Sequence, residues 1–258
     1  MQHMKPNDKK KDTTLRLSIK RISVVFILCH FFCMHFLHAQ HVTNQLWLEY
    51  RPTYTFTPKF KVDARFSFRD EFAESNWHTW EARFIPVLKL PRHFDVNLGL
   101  SFLETSQNLF LSTSEFRLAP GVRYKLPWER IDLGAWIRVE FRWVYNREPA
   151  EWTYTTRPRL RIFTDIPINA KSMKEENFFY VASFFEFFYQ NDEDLQERYA
   201  KRYWFRLGLG YKLNQRFRFE ALYNRQDSKN TITTNFEDFS KENIFVFAVR
   251  HNINKMKK

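Results

Sequence analysis

The amino-acid sequence predicts an all-β protein, a closed antiparallel transmembrane β-barrel of about ten to twelve strands that follows a cleaved signal peptide. Three observations lead to this prediction. Apolar and charged residues alternate through most of the chain, the connections between the alternating segments are short and long in turn, and the N-terminal region is first basic and then apolar.

The first 39 residues have the layout of a signal peptide. A basic region up to Arg21 precedes the apolar stretch Ile22–Leu37, which is shorter than the roughly 20 residues of a membrane-spanning helix, and small Ala39 suits a cleavage site. We therefore divide the chain into a signal peptide (1–39) and an outer-membrane barrel domain (40–258), with a retained N-terminal anchor as the alternative. Cleavage removes both cysteines, together with seven basic and two acidic residues, which lowers the formal net charge from +12 to +7.

Strict alternation with a period of two predicts β-strands along the remaining chain. It is clearest in Phe60–Arg69, Ile131–Tyr145 and Arg202–Leu213. Eight further strands are predicted at Gln45–Phe56, Trp77–Leu90, Phe94–Glu104, Ser114–Leu126, Trp152–Asp165, Phe178–Tyr189, Phe217–Arg225 and Glu242–Asn252. The total is eleven, whereas single-chain bacterial barrels normally have an even number. Either Thr231–Phe236 forms another short strand, or two of the eleven segments are one bent strand.

The apolar face of these strands distinguishes a membrane barrel from a soluble β-sandwich or lipocalin-like barrel, which is the alternative. The chain has 29 Phe, 11 Tyr and 8 Trp, more rings than a core of this size can bury. A lipid-facing band collects aromatic residues near its ends. The residues expected there are Tyr124, Trp143, Tyr145, Tyr203, Tyr211 and Tyr223, and the same face carries Pro52, Pro86, Pro120 and Pro158.

The opposite face is predicted to line the lumen, and its charged residues are mostly arginine. Guanidinium groups pair with carboxylates in a bidentate manner and suit a crowded interior. This surplus of arginine allows two interpretations: an anion-favouring path or acidic-ligand site, or an ion network that satisfies itself and stiffens the wall. The predicted lumen-facing network is Asp63, Arg65, Arg69, Glu81, Arg83, Glu115, Arg117, Arg123, Arg138, Glu140, Arg142, Arg157, Arg159, Arg161, Arg202, Arg206, Arg218 and Glu220.

The arginine cluster Arg157–Arg161 places three like charges on one strand face, where they repel unless acids or an anion balance them. Glu140 and Glu186 on neighbouring strands are the expected counter-charges.

Candidates for catalysis are few. His78 beside Glu74 and Ser75, and His93 with Asp95, are the local arrangements that could serve a hydrolase, and chance explains both. Zinc-protease, phosphate-loop and nucleophile-elbow patterns and metal-ligand spacings do not occur. We therefore expect no enzyme, metal site or cofactor. Nucleic acid is not expected as a partner, because the basic residues alternate with apolar ones and the chain is exported.

Five segments carry a family resemblance: Gln45–Tyr50, Phe60–Phe72, Arg117–Tyr124, Glu140–Arg142 and Arg157–Arg161. They resemble domain-of-unknown-function family 2490, a family of uncharacterised exported bacterial proteins, over Thr43 to Asn252. The resemblance implies an outer-membrane β-barrel of unassigned role and supplies no catalytic residues. The chain continues beyond Asn252 to Lys258, without the terminal aromatic residue of many outer-membrane barrels.

These observations predict an integral outer-membrane protein whose partners are lipid and the barrel insertion machinery. One functional alternative is a narrow arginine-lined pore for small or anionic solutes. The other is a structural or surface-interaction barrel with a closed, ion-paired lumen, in which loop residues such as Asn108 or Asp194 meet a partner. A barrel hydrolase is the third alternative.

Overall fold

The computed structural model describes residues 42–72, 76–107, 112–148, 150–189, 200–229 and 239–254. The chain separates into units 1–40 and 41–258, and the barrel belongs to the second. The predicted signal peptide, Glu74, Ser75, Asn108, Asp194 and the additional strand at Thr231–Phe236 lie outside the described residues.

Eleven strands of the described chain form one closed barrel, which confirms the prediction of an all-β closed barrel of about ten to twelve strands. Every predicted segment forms a strand of its own, so the alternative that two of them are one bent strand is wrong. The strands are β1 (Val42–Thr55), β2 (Phe60–Glu71), β3 (His78–Lys89), β4 (Phe94–Ser106), β5 (Thr113–Lys125), β6 (Asp132–Asn146), β7 (Glu151–Pro167), β8 (Phe178–Phe188), β9 (Ala200–Lys212), β10 (Phe217–Lys229) and β11 (Phe239–Asn254).

The barrel closes through a parallel pair, whereas all other neighbours are antiparallel. β1 pairs with β11 from Val42 beside Lys241 to Thr55 beside Asn254. In an up-and-down barrel with an odd number of strands, the first and last strands run in the same direction, so the closing pair must be parallel. The expectation of an even number was therefore wrong for the described barrel, because an odd ring closes in this way.

The strand directions give the barrel two distinct ends. The end at which β1 begins carries the connections 72–77, 107–112, 147–150, 189–199 and 230–238, and we call it the loop end. The opposite end carries the connections 56–59, 90–93, 126–131, 168–177 and 213–216, and we call it the turn end. None of the described residues forms a helix that is long and apolar enough to cross a membrane.

The four prolines lie on the outward face, as predicted. At Pro52 the ladder between β1 and β2 is interrupted and then resumes in the same register, with Tyr50 opposite Phe66 and Thr53 opposite Asp63. Proline lacks the N–H that a ladder needs, so it is tolerated where the pairing can be omitted. The ladders are interrupted in the same way at Pro86 and Pro120.

The segment 168–177 covers part of the turn end. Met173 in this segment is buried, and its carbonyl oxygen accepts a hydrogen bond from Lys212 Nζ at 3.0 Å. Gln215 in the next connection donates through Nε2 to the carbonyl oxygen of Lys174 at 2.8 Å. These contacts fix the segment over the side of the barrel formed by β8 and β9.

Candidate functional site

The charged interior contains carboxylates that each serve several arginines. Glu186 on β8 is fully buried and accepts hydrogen bonds from Arg138 at 2.8 Å, from Arg159 at 2.7 Å and from Arg161 at 2.5 Å. Arg161 lies directly opposite Glu186 in the ladder between β7 and β8. The pairing of β7 with β8 therefore places the Glu186 carboxylate beside Arg161.

The rest of the Arg157–Arg161 cluster is balanced by Glu140 on β6. Arg157 lies opposite Glu140 in the ladder between β6 and β7, and its Nη2 is 2.8 Å from Glu140 Oε2. Arg159 contacts both Glu140 and Glu186. The two glutamates predicted as counter-charges thus lie against the three arginines, and Arg159 links them into one network.

Similar clusters occupy other parts of the wall. Glu115 on β5 accepts from Arg117 and Arg142, both at 2.5 Å. Glu81 on β3 contacts Arg65, Arg69 and Arg83. Asp63 on β2 pairs with Lys61 at 2.8 Å. In each of these clusters, one carboxylate therefore lies at the centre and basic side chains surround it.

Glu220 on β10 forms a cluster near the closing strands. Its carboxylate lies 2.9 Å from Arg51 Nη1 and 2.8 Å from Arg250 Nε, and it accepts a hydrogen bond from the Tyr180 hydroxyl at 2.7 Å. Because β1 and β10 both flank β11, this carboxylate ties together the strands on each side of the parallel seam.

A belt of aromatic and guanidinium groups crosses the barrel interior. The Trp47 and Trp204 ring centroids are 5.5 Å apart, although two strands separate β1 from β9. Arg161 lies 5.9 Å from the Trp204 ring and 5.5 Å from the Trp136 ring. Trp136 Nε1 then donates to Asn97 Oδ1 on β4 at 3.2 Å. This set of residues, which we call the belt, extends across the lumen from Trp47 on β1 to Asn97 on β4.

A cavity of about 380 Å³ lies on the turn-end side of the belt. The belt residues Trp136, Arg161 and Trp204 form part of its wall. Three acidic residues, Asp63, Asp132 and Asp165, line the cavity. Eleven basic residues line it as well: Arg51, Lys61, Arg65, Arg83, Arg123, Lys125, Arg138, Arg161, Arg206, Arg218 and Arg250.

Three of the arginines in this cavity have no carboxylate within salt-bridge distance in the described part of the chain: Arg123, Arg206 and Arg218. Arg206 donates instead to the Asn224 amide oxygen at 2.6 Å, and Arg123 lies 4.7 Å from the Trp136 ring. The predicted network therefore divides into an ion-paired part and this cationic part. Arg202 lies on β9, and its side chain is outside the described part.

The aromatic residues of the interior are the main feature that sequence reasoning missed. Phe178, Tyr180, Phe184 and Phe188 on β8 point inward and are buried. Both faces of β8 are apolar, so alternation does not indicate which of its faces points into the lumen. Its single charge, Glu186, was the signal that could have identified the inward face.

The histidine candidates lie apart from the interior clusters. His78 Nδ1 is 3.2 Å from the carbonyl oxygen of Asn76, and His93 lies in the turn between β3 and β4 with a φ of 67°. His93 and Asp95 line the mouth of the barrel at the turn end. Among the residues covered by the structure, no three His, Cys, Asp or Glu side chains are grouped so that they could hold a metal ion.

Comparison with known families supports the resemblance found in the sequence. Residues 44–237 match the model of a family described as "Protein of unknown function (DUF2490)". The chain belongs to this family. The DUF2490 match begins within β1 and ends before β11, the strand that closes the ring. A search of the curated proteins finds no match to the chain.

Proposed function

We propose that this DUF2490 protein is an integral outer-membrane β-barrel whose lumen is closed, and that it has a structural or surface-interaction role. The observation that carries the proposal is the contrast between its two faces. Apolar and aromatic side chains cover the outside all around the ring, whereas the charged side chains lie inside. A soluble barrel needs the opposite arrangement.

The extent of apolar exposure supports hydrocarbon as the surrounding solvent. Ile137 on β6, Phe102 on β4 and Phe247 on β11 are 61%, 57% and 56% exposed. Soluble monomers rarely expose continuous apolar patches larger than a few hundred Å². In a bilayer the same surface contacts the hydrocarbon chains of the lipids. The insertion machinery of the outer membrane would be the partner that assembles the barrel.

Aromatic ladders near both ends of the outer face support two membrane interfaces. Near the loop end, ring centroids are 5.1 Å apart for Phe102 and Phe116, 5.5 Å for Phe116 and Trp143, and 5.4 Å for Trp143 and Tyr154. Near the turn end, Phe94 pairs with Tyr124, and Phe179 with Tyr211. Girdles of this kind flank the apolar band of outer-membrane barrels.

The closed lumen favours a structural or interaction role over a pore. The belt spans the interior from β1 to β4, and Arg138, Glu140, Arg142 and Arg157, on β6 and β7, are each no more than 2% exposed. Water and ions need a continuous path through the barrel, and buried side chains across the interior support the proposal that this path is blocked.

Cell fractionation combined with electrophoresis tests the membrane location. The protein should be found in the outer-membrane fraction, and an unboiled sample should migrate differently on a gel from a boiled one, because a closed barrel resists the detergent until it is heated. Recovery in the soluble periplasmic fraction would instead support the soluble alternative and contradict the proposal.

Planar-bilayer recording tests the closed lumen. We expect the purified protein to give no conductance steps, because the belt closes the cross-section. The double variant Trp47→Ala/Trp204→Ala removes two rings of the belt and should produce steps, which shows that the protein has inserted. Anion-selective steps from the unmodified protein would support the narrow pore instead.

A further inference from the structure

We propose that the cationic cavity at the turn end binds a small soluble oxyanion that carries at least two negative charges, of the phosphate or polycarboxylate class. This inference concerns the barrel interior and holds wherever the barrel is located.

The strongest indication is a buried cation with unused hydrogen-bonding capacity. Arg206 lines the cavity and is only 6% exposed. Its Nη2 has no hydrogen-bond partner within the described ranges, and the same is true of Arg218 Nε. A buried charge without a counter-charge is costly, since burial removes its hydration. An anion in the cavity would supply the missing acceptors.

The neighbouring carboxylates offset this charge only in part, because Asp63, Asp132 and Asp165 line the cavity against eleven basic residues. Glu186 is already shared by Arg138, Arg159 and Arg161, and Glu220 by Arg51 and Arg250. Arg123, Arg206 and Arg218 therefore have no carboxylate in direct contact within the described ranges, and the cavity keeps a large excess of positive charge, so a multiply charged ligand fits better than a monovalent ion.

The aromatic walls hold the guanidinium groups in position. Arg138 lies 3.9 Å from the Trp136 ring, while Arg161 and Arg206 lie 4.1 and 4.7 Å from the Phe184 ring. A guanidinium over an aromatic ring keeps its in-plane N–H groups for acceptors, which suits the flat or tetrahedral edge of a carboxylate or phosphate. Because these rings already have cations against them, the ligand is recognised by its charge and needs no aromatic part.

The size and access of the cavity limit the ligand to a small molecule. Its volume of about 380 Å³ is within the range of small-ligand pockets. Lys61, Arg123 and Lys125 line both this cavity and a mouth of about 810 Å³ at the turn end, so the two adjoin. Lys89 and Arg92 add positive charge at the mouth. The belt residues Trp136, Arg161 and Trp204 bound the inner side of the cavity, so we expect a ligand to enter and leave through the mouth.

Calorimetric titration with inorganic pyrophosphate tests the proposal. The protein is extracted from cells in detergent and titrated at constant sodium chloride concentration. We expect saturable binding of one pyrophosphate, and we expect Arg206→Gln/Arg218→Gln to weaken it at least tenfold. Arg147→Gln makes the same chemical change in a loop-end connection, outside the cavity, and should bind as the unmodified protein does. Absence of saturable binding, or equal affinity in the double variant and the unmodified protein, would overturn the proposal.

Thermal unfolding separates a binding role of these arginines from a structural one. Without pyrophosphate the double variant should unfold at a temperature equal to or above that of the unmodified protein, because it lacks two cations that have no carboxylate in direct contact and that leave buried N–H groups without an acceptor. At the same pyrophosphate concentration, the unfolding temperature of the unmodified protein should rise more than that of the double variant. The proposal is wrong if the double variant is less stable without pyrophosphate and gains as much stability from it as the unmodified protein does. The two arginines would then have a structural role in the barrel wall and no role in binding. The gel and fractionation experiment is independent of this result, so either proposal can fail alone.

Discussion

At the scale of single residues, the interior tolerates many charges because its carboxylates are shared. Glu186 accepts hydrogen bonds from three guanidinium groups, which satisfies its oxygens and compensates each arginine in part. Removing one partner of a buried ion pair costs more than the pair contributes, since the remaining charges stay buried. The glutamates, as the minority, are therefore the sensitive positions.

Glu186→Gln should lower the free energy of unfolding by about 3–5 kcal/mol, because it leaves Arg138, Arg159 and Arg161 without this shared carboxylate. Urea unfolding of the barrel in detergent measures the change. The control is Glu104→Gln, which breaks the exposed pair with Arg147 and should cost about 0–1 kcal/mol. Equal effects of the two substitutions would contradict the shared role of Glu186.

Which charges pair was only partly predictable from the sequence. Alternation placed Arg157, Arg159 and Arg161 on the lumen side, and neighbouring strands made Glu140 and Glu186 their expected partners. The same alternation describes Arg206 equally well, although this residue has no carboxylate partner in the described structure. Whether an arginine finds a carboxylate depends on the register of β8, β9 and β10 and on which side chains meet across the lumen. Alternation along a single strand predicts neither.

At the scale of strands, glycine makes room for aromatic rings inside the barrel. All five glycines lie at inward positions. A Cβ on Gly134 would lie 2.6 Å from Cζ of Phe163, and one on Gly210 would overlap the ring of Tyr180. The rings of Phe163 on β7 and Tyr180 on β8 therefore pack closely against the backbone of the neighbouring strands β6 and β9.

Gly210→Ala should destabilise the barrel by about 1–3 kcal/mol, because the added methyl group displaces the Tyr180 ring. Gly99→Ala is the matched control, since its Cβ would lie 3.2 Å from the Ala119 methyl group and needs a smaller adjustment. Urea unfolding under identical conditions compares the two. If Gly99→Ala were the more damaging substitution, the packing role of Gly210 would be wrong.

The strands themselves were predictable because nearly every one has a polar and an apolar face. β6 shows the pattern over its whole length, and its inward residues Trp136, Arg138, Glu140 and Arg142 are all buried. The parallel pairing of β1 with β11 was not predicted, because an even number of strands was expected although eleven segments alternate. Periodicity assigns faces to a strand and carries no information about which strands close the ring.

At the scale of the whole molecule, the closing pair places the two ends of the described barrel on opposite sides. The chain enters at Val42 at the loop end and leaves at Asn254 at the turn end. Barrels with an even number of strands begin and end on one side. With short turns facing the periplasm, as is usual for outer-membrane barrels, Val42 would lie on the cell surface.

An epitope placed directly before Val42 should therefore be removed by protease added to intact cells, because it lies at the surface side of the barrel. An epitope placed directly after Asn254 should be removed only after the outer membrane has been permeabilised. The two tagged proteins serve as controls for each other. Protection of both epitopes in intact cells would contradict this arrangement.

The parallel seam also constrains how the barrel can be assembled. Asn44 and Asn243, which share a hydrogen bond of 3.1 Å across it, are 199 residues apart in the chain. Every other ladder joins consecutive strands and can form as soon as those two strands meet, whereas this one must wait for the final strand. Long-range pairings of this kind form slowly. Until then the nascent sheet has two unpaired edges that must be shielded, and a chain truncated before β11 would stay open at both.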